Sequence, residues 1–319
     1  MAVMIKYSIV IPVYKNEESI FRLLRSLAEI NKQLSGNMEA VFVIDGSPDN
    51  SYSLLKSKIE EMDFSAQIIA HSRNFGSFPA IRTGLMVAKG QFFSVMAADL
   101  QEPPELTLQF FNELTKNECD VVIGTRDTRH DPWISRLTSN LFWWFYRRFV
   151  VQDMPKGGVD VFGCNLTFKN HLVGLTESRS SLIALIFWLG FRRHYISYDR
   201  QVRQEGKSSW TMKKKVDYMM DSLFSFTDYP IKLLIRTGFI GSVLSFLVGS
   251  FIALSRLTGY IHFPGYSAIM VTLLFIFSVN LLSLGVVGAY AWRGYENSKR
   301  RPLSIVSMVH EKEKYNEEV

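Results

Sequence analysis

SIVIPVYKNEESIFRLLRSLAEI, Ser8 to Ile30, carries two periodicities back to back. The opening SIVIPV has no charged position, as a strand buried on both faces requires. From Ser19 onward the apolar residues fall at Ile20, Leu23, Leu24, Leu27 and Ile30, one face of a helix. Pro12 and the charges at Lys15, Glu17 and Glu18 exclude a secretory apolar core, so the stretch reads as strand, turn and helix.

This alternation continues through the first 125 residues. Apolar runs at Tyr7–Pro12, Ala40–Ile44, Gln67–Ala70, Phe92–Met96 and Val121–Gly124 are separated by helical patterns near Ser19–Ile30, Ser51–Met62, Phe78–Ala88 and Glu105–Asn117. Right-handed crossovers turn such a series into an α/β, Rossmann-like, mostly parallel sheet with helices on both faces. Ligands then bind beyond the carboxyl ends of the strands. Those ends read PVYKNEE, VIDGSPDNS, HSRNFGS and MAADLQEPPE, so Asp45, Asp49, Arg73, Asn74 and Asp99 are expected along one rim.

The 319 residues are 47% hydrophobic and 13% aromatic, more than a soluble domain needs. The excess lies near the C-terminus: Thr237–Ser255 gives 19 residues without a charge and Pro264–Trp292 gives 29. Each is long enough to cross the hydrocarbon layer of ~30 Å as a helix. Gly238, Gly241, Ser245 and Gly249 in the first, with Gly285 and Gly288 in the second, are expected to let the two pack closely as a hairpin. They also leave self-association as a homo-oligomer open. Lys232, Arg236, Arg293, Lys299, Arg300 and Arg301 flank the pair, against Arg256 and His262 in the connection, which places both ends in the cytoplasm and the protein in the inner membrane. Cys119 and Cys164 are expected as reduced packing residues. The domain reading is a catalytic unit at 1–211, a juxtamembrane amphipathic segment at 212–234, two spans within 235–293 and a tail at 294–319.

SIVIPVYKNEESI, IDGSPDNS, SRNFGSFPAIRTG, ADLQEPPE and GTR, in this order, resemble the family-2 glycosyltransferases of GT-A fold. WLGFRR, RQEGKSSW and GAYAWRGYENSKRRP are similar to the polyprenyl-phosphate branch, which includes dolichol-phosphate mannosyltransferase and bactoprenol glucosyltransferases. The resemblance covers all but the last dozen or so residues. It implies inverting transfer of a hexose from a nucleotide sugar, UDP-linked by expectation, to a membrane polyprenyl phosphate such as undecaprenyl phosphate. The product would serve glycan or O-antigen modification.

In this family the fourth strand ends in Asp-x-Asp-x-Gln, which holds Mg²⁺ or Mn²⁺ against the donor diphosphate. Here Ala97 replaces the first acid, leaving Asp99 and Gln101, and Mg²⁺ can bind through one carboxylate plus phosphates and water. The resemblance places the nucleotide against Pro12, Tyr14, Glu17 and Asp45, with Arg73, Asn74 and Gly76 beside them. Asp45 would accept the imide N–H of the base, and Ile44 stands where relatives carry a second acid. Asp160 in GGVDVFG matches the position beneath sugar and acceptor, with a structural turn as the alternative. The six histidines show no metal spacing and are expected to be incidental.

From Arg192 to Lys215 eight Lys or Arg face two acids, a net +6 that equals the whole chain's. Next to membrane spans, such a segment suits anionic lipid head groups rather than nucleic acid. By resemblance Arg203 and Ser208, with Arg126, Arg136 and Ser139, would hold the acceptor phosphate. Leu137–Val150 and Met212–Leu234 mix aromatics with cations, read either as interfacial helices or as core packing. Two other readings stay open: transfer to another membrane lipid, and a non-catalytic membrane scaffold that lost its metal acid at Ala97.

Overall fold

The computed structural model describes residues 5–126, 144, 146–148, 151, 153–155, 159–177, 181–201, 212–258 and 266–313. Five strands and four helices follow the expected alternation: β1 (Tyr7–Val13), α1 (Ile20–Gln33), β2 (Met38–Ile44), α2 (Ser51–Ile59), β3 (Ser65–His71), α3 (Ser77–Val87), β4 (Phe92–Val95), α4 (Pro104–Thr115) and β5 (Val121–Arg126). Then come β6 (Val159–Asn165), α5 (Leu166–Gly174), α6 (Leu182–Trp188) and β7 (Arg193–Tyr198). Three helices, α7 (Met212–Phe226), α8 (Tyr229–Leu257) and α9 (Tyr266–Ser298), precede the last strand, β8 (Val306–Lys312).

The eight strands form one sheet in the order β7-β5-β6-β4-β1-β2-β3-β8. β1, β2, β3 and β4 are mutually parallel, β5 pairs parallel with β7, and β6 runs antiparallel between β4 and β5. The sheet is covered on both faces because its strands are apolar on both. Ile9, Ile11 and Val13 of β1 join Leu23, Leu24 and Leu27 of α1 in one core, while Val10 joins Ala80 and Leu85 of α3 in the other. Each of these buried Val, Leu and Ile side chains contributes about 1.5–3 kcal/mol of transfer free energy. Cys119 and Cys164 are buried free thiols, and burial raises both pKa values.

Residues 294–319, expected as a tail, contain an element of the sheet instead. β8 pairs antiparallel with β3, from Ala66↔Lys312 to His71↔Val306, and covers what would be an open edge. Lys312 Nζ donates to the carbonyl of Ile59 at 2.8 Å, and Ser307 Oγ to that of Ala70 at 2.9 Å.

α8 and α9 each contain a window long and apolar enough to cross a membrane, Tyr229–Val248 and Phe275–Ser298. Phe246 and Phe275 are 74% and 69% exposed, which an aqueous surface does not favour. Among the described residues the expected close packing through the glycines is not observed. A Cβ built on Gly241, Gly285 or Gly288 meets nothing within 4 Å, so these glycines face outward rather than into the partner helix.

α9 is held to α7 near its C-terminal end. Arg293 Nη2 donates to Asp221 Oδ1 at 2.8 Å, its guanidinium lies 4.7 Å from the Phe224 ring centre, and the Tyr290 hydroxyl donates to the Thr227 carbonyl at 2.7 Å. Asp221, on α7, thus gives the C-terminal end of α9 a charged contact. The other face of α7 meets the sheet domain through buried hydroxyls: Ser181 Oγ lies 2.5 Å from Tyr218 Oη, and Tyr146 Oη lies 3.3 Å from Ser222 Oγ. Tyr146 of the aromatic stretch is thus core, and Trp144 beside it is 55% exposed.

Candidate active site

Strand register gathers the predicted rim. Val13 pairs with Ile44 and Ile44 with Ala70, so the segments after β1, β2 and β3 leave the sheet side by side, and β4 ends next to β1. The antiparallel β6 starts at this same edge, with Val159 opposite Thr125, and Arg126 ends β5 opposite Tyr198. Asp160, second in β6, and Arg126 therefore share the rim with Asp45 and Asp99. β8 also begins here, at Val306 opposite His71.

Asp45 organises the centre. Its carboxylate is buried, and it accepts the amide N–H of Phe75 at 2.8 Å on Oδ1 and that of Gly76 at 2.7 Å on Oδ2. Oδ1 also lies 2.9 Å from His71 Nδ1. One carboxylate thus fixes the turn carrying Arg73, Asn74 and Gly76, and Oδ2 keeps a further lone pair. Gly46 lets that turn come close: with φ at +58°, an added Cβ would sit 2.3 Å from the Arg73 carbonyl carbon. His71, expected to be incidental, is a correction. It is buried, and its Nε2 lies 2.9 Å from Thr83 Oγ1. No sequence spacing marks this pair, since 26 residues separate His71 from Asp45.

A second bracket joins the first two turns. Glu17 Oε2 accepts the Asn50 amide at 3.0 Å, Asp49 Oδ2 accepts the Glu17 amide at 3.2 Å, and Lys15 N–H donates to Ser47 Oγ at 2.7 Å. Burial pushes the Asp49 pKa up, but hydrogen bonds from Ser47, Ser51 and Glu17 outweigh it and hold the carboxyl below its usual value. Glu17 is thereby occupied in shaping the turn. Pro12 lies within β1, and Tyr14 stands half-exposed on the rim with Lys15 Nζ 5.6 Å from its ring centre. Arg73 stacks over Phe75 at 4.1 Å.

The turn after β4 presents Asp99 under backbone strain, because Leu100 adopts φ +53° with a branched side chain. Ser19 Oγ donates to the Ala98 carbonyl at 2.9 Å, tying this turn to the first helix. Gln101 N–H faces Asp99 Oδ1 at 3.4 Å, and the Gln101 side-chain oxygen accepts from Arg200 Nη2. Gln201 N–H donates to the Gln101 carbonyl at 2.9 Å. Among the described residues no group of three His, Cys, Asp or Glu could hold a metal alone. The donor set therefore fits a divalent ion through Asp99, provided phosphates and water supply most of the ligands. Arg200, which the sequence reading missed, adds a guanidinium at the same corner. Pro104 opens the first turn of α4.

Of the acceptor residues, Arg126 is half-buried on the rim, while Arg136, Ser139, Arg203 and Ser208 lie outside the described residues. The side chain of Asp160 is also outside them.

The family-2 glycosyl transferase profile matches residues 8–172, the sheet from β1 into α5. The chain belongs to glycosyl transferase family 2. An uncharacterized glycosyltransferase of Synechocystis sp. is 33% identical over 306 residues, covering 95% of each chain. The bactoprenol glucosyl transferase of Shigella phage SfV is 28% identical across 97% of this chain and 100% of that protein. The undecaprenyl-phosphate 4-deoxy-4-formamido-L-arabinose transferase of Proteus mirabilis is 29% identical across 95% of this chain and 94% of its own length. This family-2 member is a glycosyltransferase.

Proposed function

We propose that this glycosyltransferase moves a hexose from a nucleotide sugar, UDP-linked, to the phosphate of a polyprenol such as undecaprenyl phosphate, with inversion, at the cytoplasmic face of the inner membrane. The observation that carries the reading is the rim that brings Asp45 and Asp99 together on a chain whose next elements are two long apolar helices. Relatives named for bactoprenol and undecaprenyl phosphate, aligned along nearly the whole chain, support the acceptor class. The return of β8 to the sheet supports a hairpin with both ends on the catalytic side. An acceptor confined to the bilayer then meets the site at raised effective concentration.

In this reading Asp45 Oδ2 receives the donor base and Asp99 faces the diphosphate. A bound Mg²⁺ or Mn²⁺ held by Asp99, with Gln101 beside it, would supply charge neutralisation for the departing diphosphate. Arg126 and Arg203, with Arg136, Ser139 and Ser208, orient the lipid phosphate, and Asp160 orients sugar or acceptor. A phosphate monoester has its second pKa near ~6, so the nucleophile is already a dianion and needs no base. His71, enclosed behind Asp45, is accordingly not called upon to take a proton.

The test uses purified protein in vesicles containing polyprenyl phosphate, with nucleotide sugar and Mg²⁺ or Mn²⁺. Release of nucleoside diphosphate is expected, and Asp99→Ala should lower it by about 10²-fold or more while membrane insertion is unchanged. Full turnover in that variant removes Asp99 from the chemistry. Absence of turnover with every donor favours the scaffold reading, to which Ala97 gives weight.

A further inference from the structure

The buried pair at Asp45 does not end with His71. A carboxylate only accepts, so His71 Nδ1 carries the proton that faces Asp45 Oδ1 at 2.9 Å. Its Nε2 meets Thr83 Oγ1 at 2.9 Å, and Thr83 Oγ1 in turn lies 2.8 Å from Ser304 Oγ. Ser304 belongs to the stretch between α9 and β8, where Ser72 N–H also donates to the Ile305 carbonyl at 2.9 Å. The chain that has just left its last long apolar helix therefore reaches, through two side chains, the carboxylate at the centre of the rim.

We propose that His71 and Ser304 are positioning residues for donor binding. They fix Asp45, through Thr83, in the orientation that receives the nucleoside base, so that the segment leaving α9 is a working part of the donor site. The proposal rests on the assignment of Asp45 to the donor. The physical reason is the number of ligands on one carboxylate. Phe75 and Gly76 hold it from the turn, but both are backbone donors on a surface segment, and among the described residues the ring of His71 is the side chain that approaches from the buried side. Without that third donor the carboxylate can rotate about its Cα–Cβ bond, and the turn bearing Arg73 and Asn74 loosens with it. Ser304 acts one step back: Thr83 Oγ1 also lies 3.0 Å from the Pro79 carbonyl, and a hydrogen bond donated by the Ser304 hydroxyl leaves the Thr83 proton to be shared between that carbonyl and His71 Nε2.

The experiment uses the full chain in lipid nanodiscs, with UDP as the probe. His71→Asn places an amide donor near the Nδ1 position, His71→Gln near Nε2, and Ser304→Ala deletes one oxygen on a half-exposed residue without touching the β8 ladder. His71→Gln is expected to weaken UDP binding about tenfold, His71→Asn and Ser304→Ala about threefold, with kcat at saturating donor and KM for polyprenyl phosphate within about twofold. Amide hydrogen exchange at Phe75 and Gly76 should rise in the same order, which separates this inference from the donor assignment. Faster exchange with unchanged UDP affinity would support the relay but remove Asp45 from the base, an outcome that unaltered UDP binding by Asp45→Asn would give independently. Exchange and UDP affinity both at wild-type values in His71→Gln and Ser304→Ala would overturn the proposal.

Discussion

Gly46→Ala probes the donor rim with a single methyl group. The added carbon would lie 2.3 Å from the Arg73 carbonyl carbon, 2.4 Å from the Asn74 nitrogen and 2.7 Å from Arg73 Cα, all of them backbone atoms that cannot rotate aside. Contact at about 3.5 Å requires the turn after β3 to recede by about 1 Å. The Phe75 and Gly76 hydrogen bonds to Asp45, now 2.8 and 2.7 Å, would then lengthen past hydrogen-bonding range. Holding alanine at φ +58° adds a further cost of about 1 kcal/mol. Together with two weakened bonds to a charged acceptor, the loss comes to about 2–5 kcal/mol if the turn is kept, or to a displaced turn if it is not. Thermal denaturation and UDP titration of the same preparation read both. A lower Tm together with weaker UDP binding is expected, whereas Gly174→Ala, whose new methyl meets nothing within 4 Å, should leave both unchanged. A Gly46→Ala protein that melts and binds UDP like the parent would refute the close approach on which the proposed donor site rests.

Tyr218→Phe should lower stability by about 0.5–1.5 kcal/mol in detergent unfolding, because it removes the 2.5 Å contact to Ser181 Oγ while Ser181 keeps its bond from the Ala184 amide. Burial already holds the Tyr218 phenol well above its usual pKa, so alkaline titration should not mimic the substitution at pH 9 or 10. Asp120 sits under the Arg192 guanidinium, whose hydrogen bonds outweigh burial and, with Asn165, keep its carboxyl below the ordinary value of 3.8. A depressed folded pKa contributes stability above the unfolded value and loses it as pH falls through the folded one. Asp120→Asn should therefore melt below the parent at pH 7, with the gap narrowing as pH drops below about 4; a constant gap would mean the pair contributes nothing electrostatic.

Much of the sheet was legible because its strands are uniformly apolar and its helices amphipathic. β1 to β5 appear where the apolar runs place them, with ends shifted by at most two residues. β8 was not legible. VSMVHEK follows a run of cations and pairs with β3 across more than 230 residues, a distance over which local pattern carries no information. His71 was missed for the same reason, as its partners Asp45 and Thr83, and Ser304 behind Thr83, come from three separate segments. The outward-facing glycines of α8 and α9 show the limit of composition: small residues permit close packing but do not choose the face that meets a neighbour.

Mass analysis of the lipid formed by purified protein from a panel of nucleotide sugars and one polyprenyl phosphate bears most directly on the function. One donor should yield a polyprenyl phosphate heavier by a single hexose residue, together with one equivalent of nucleoside diphosphate. Sugar found instead on a lipid that lacks the polyprenyl phosphate, or nowhere at all, would mean that this rim serves a different acceptor or none.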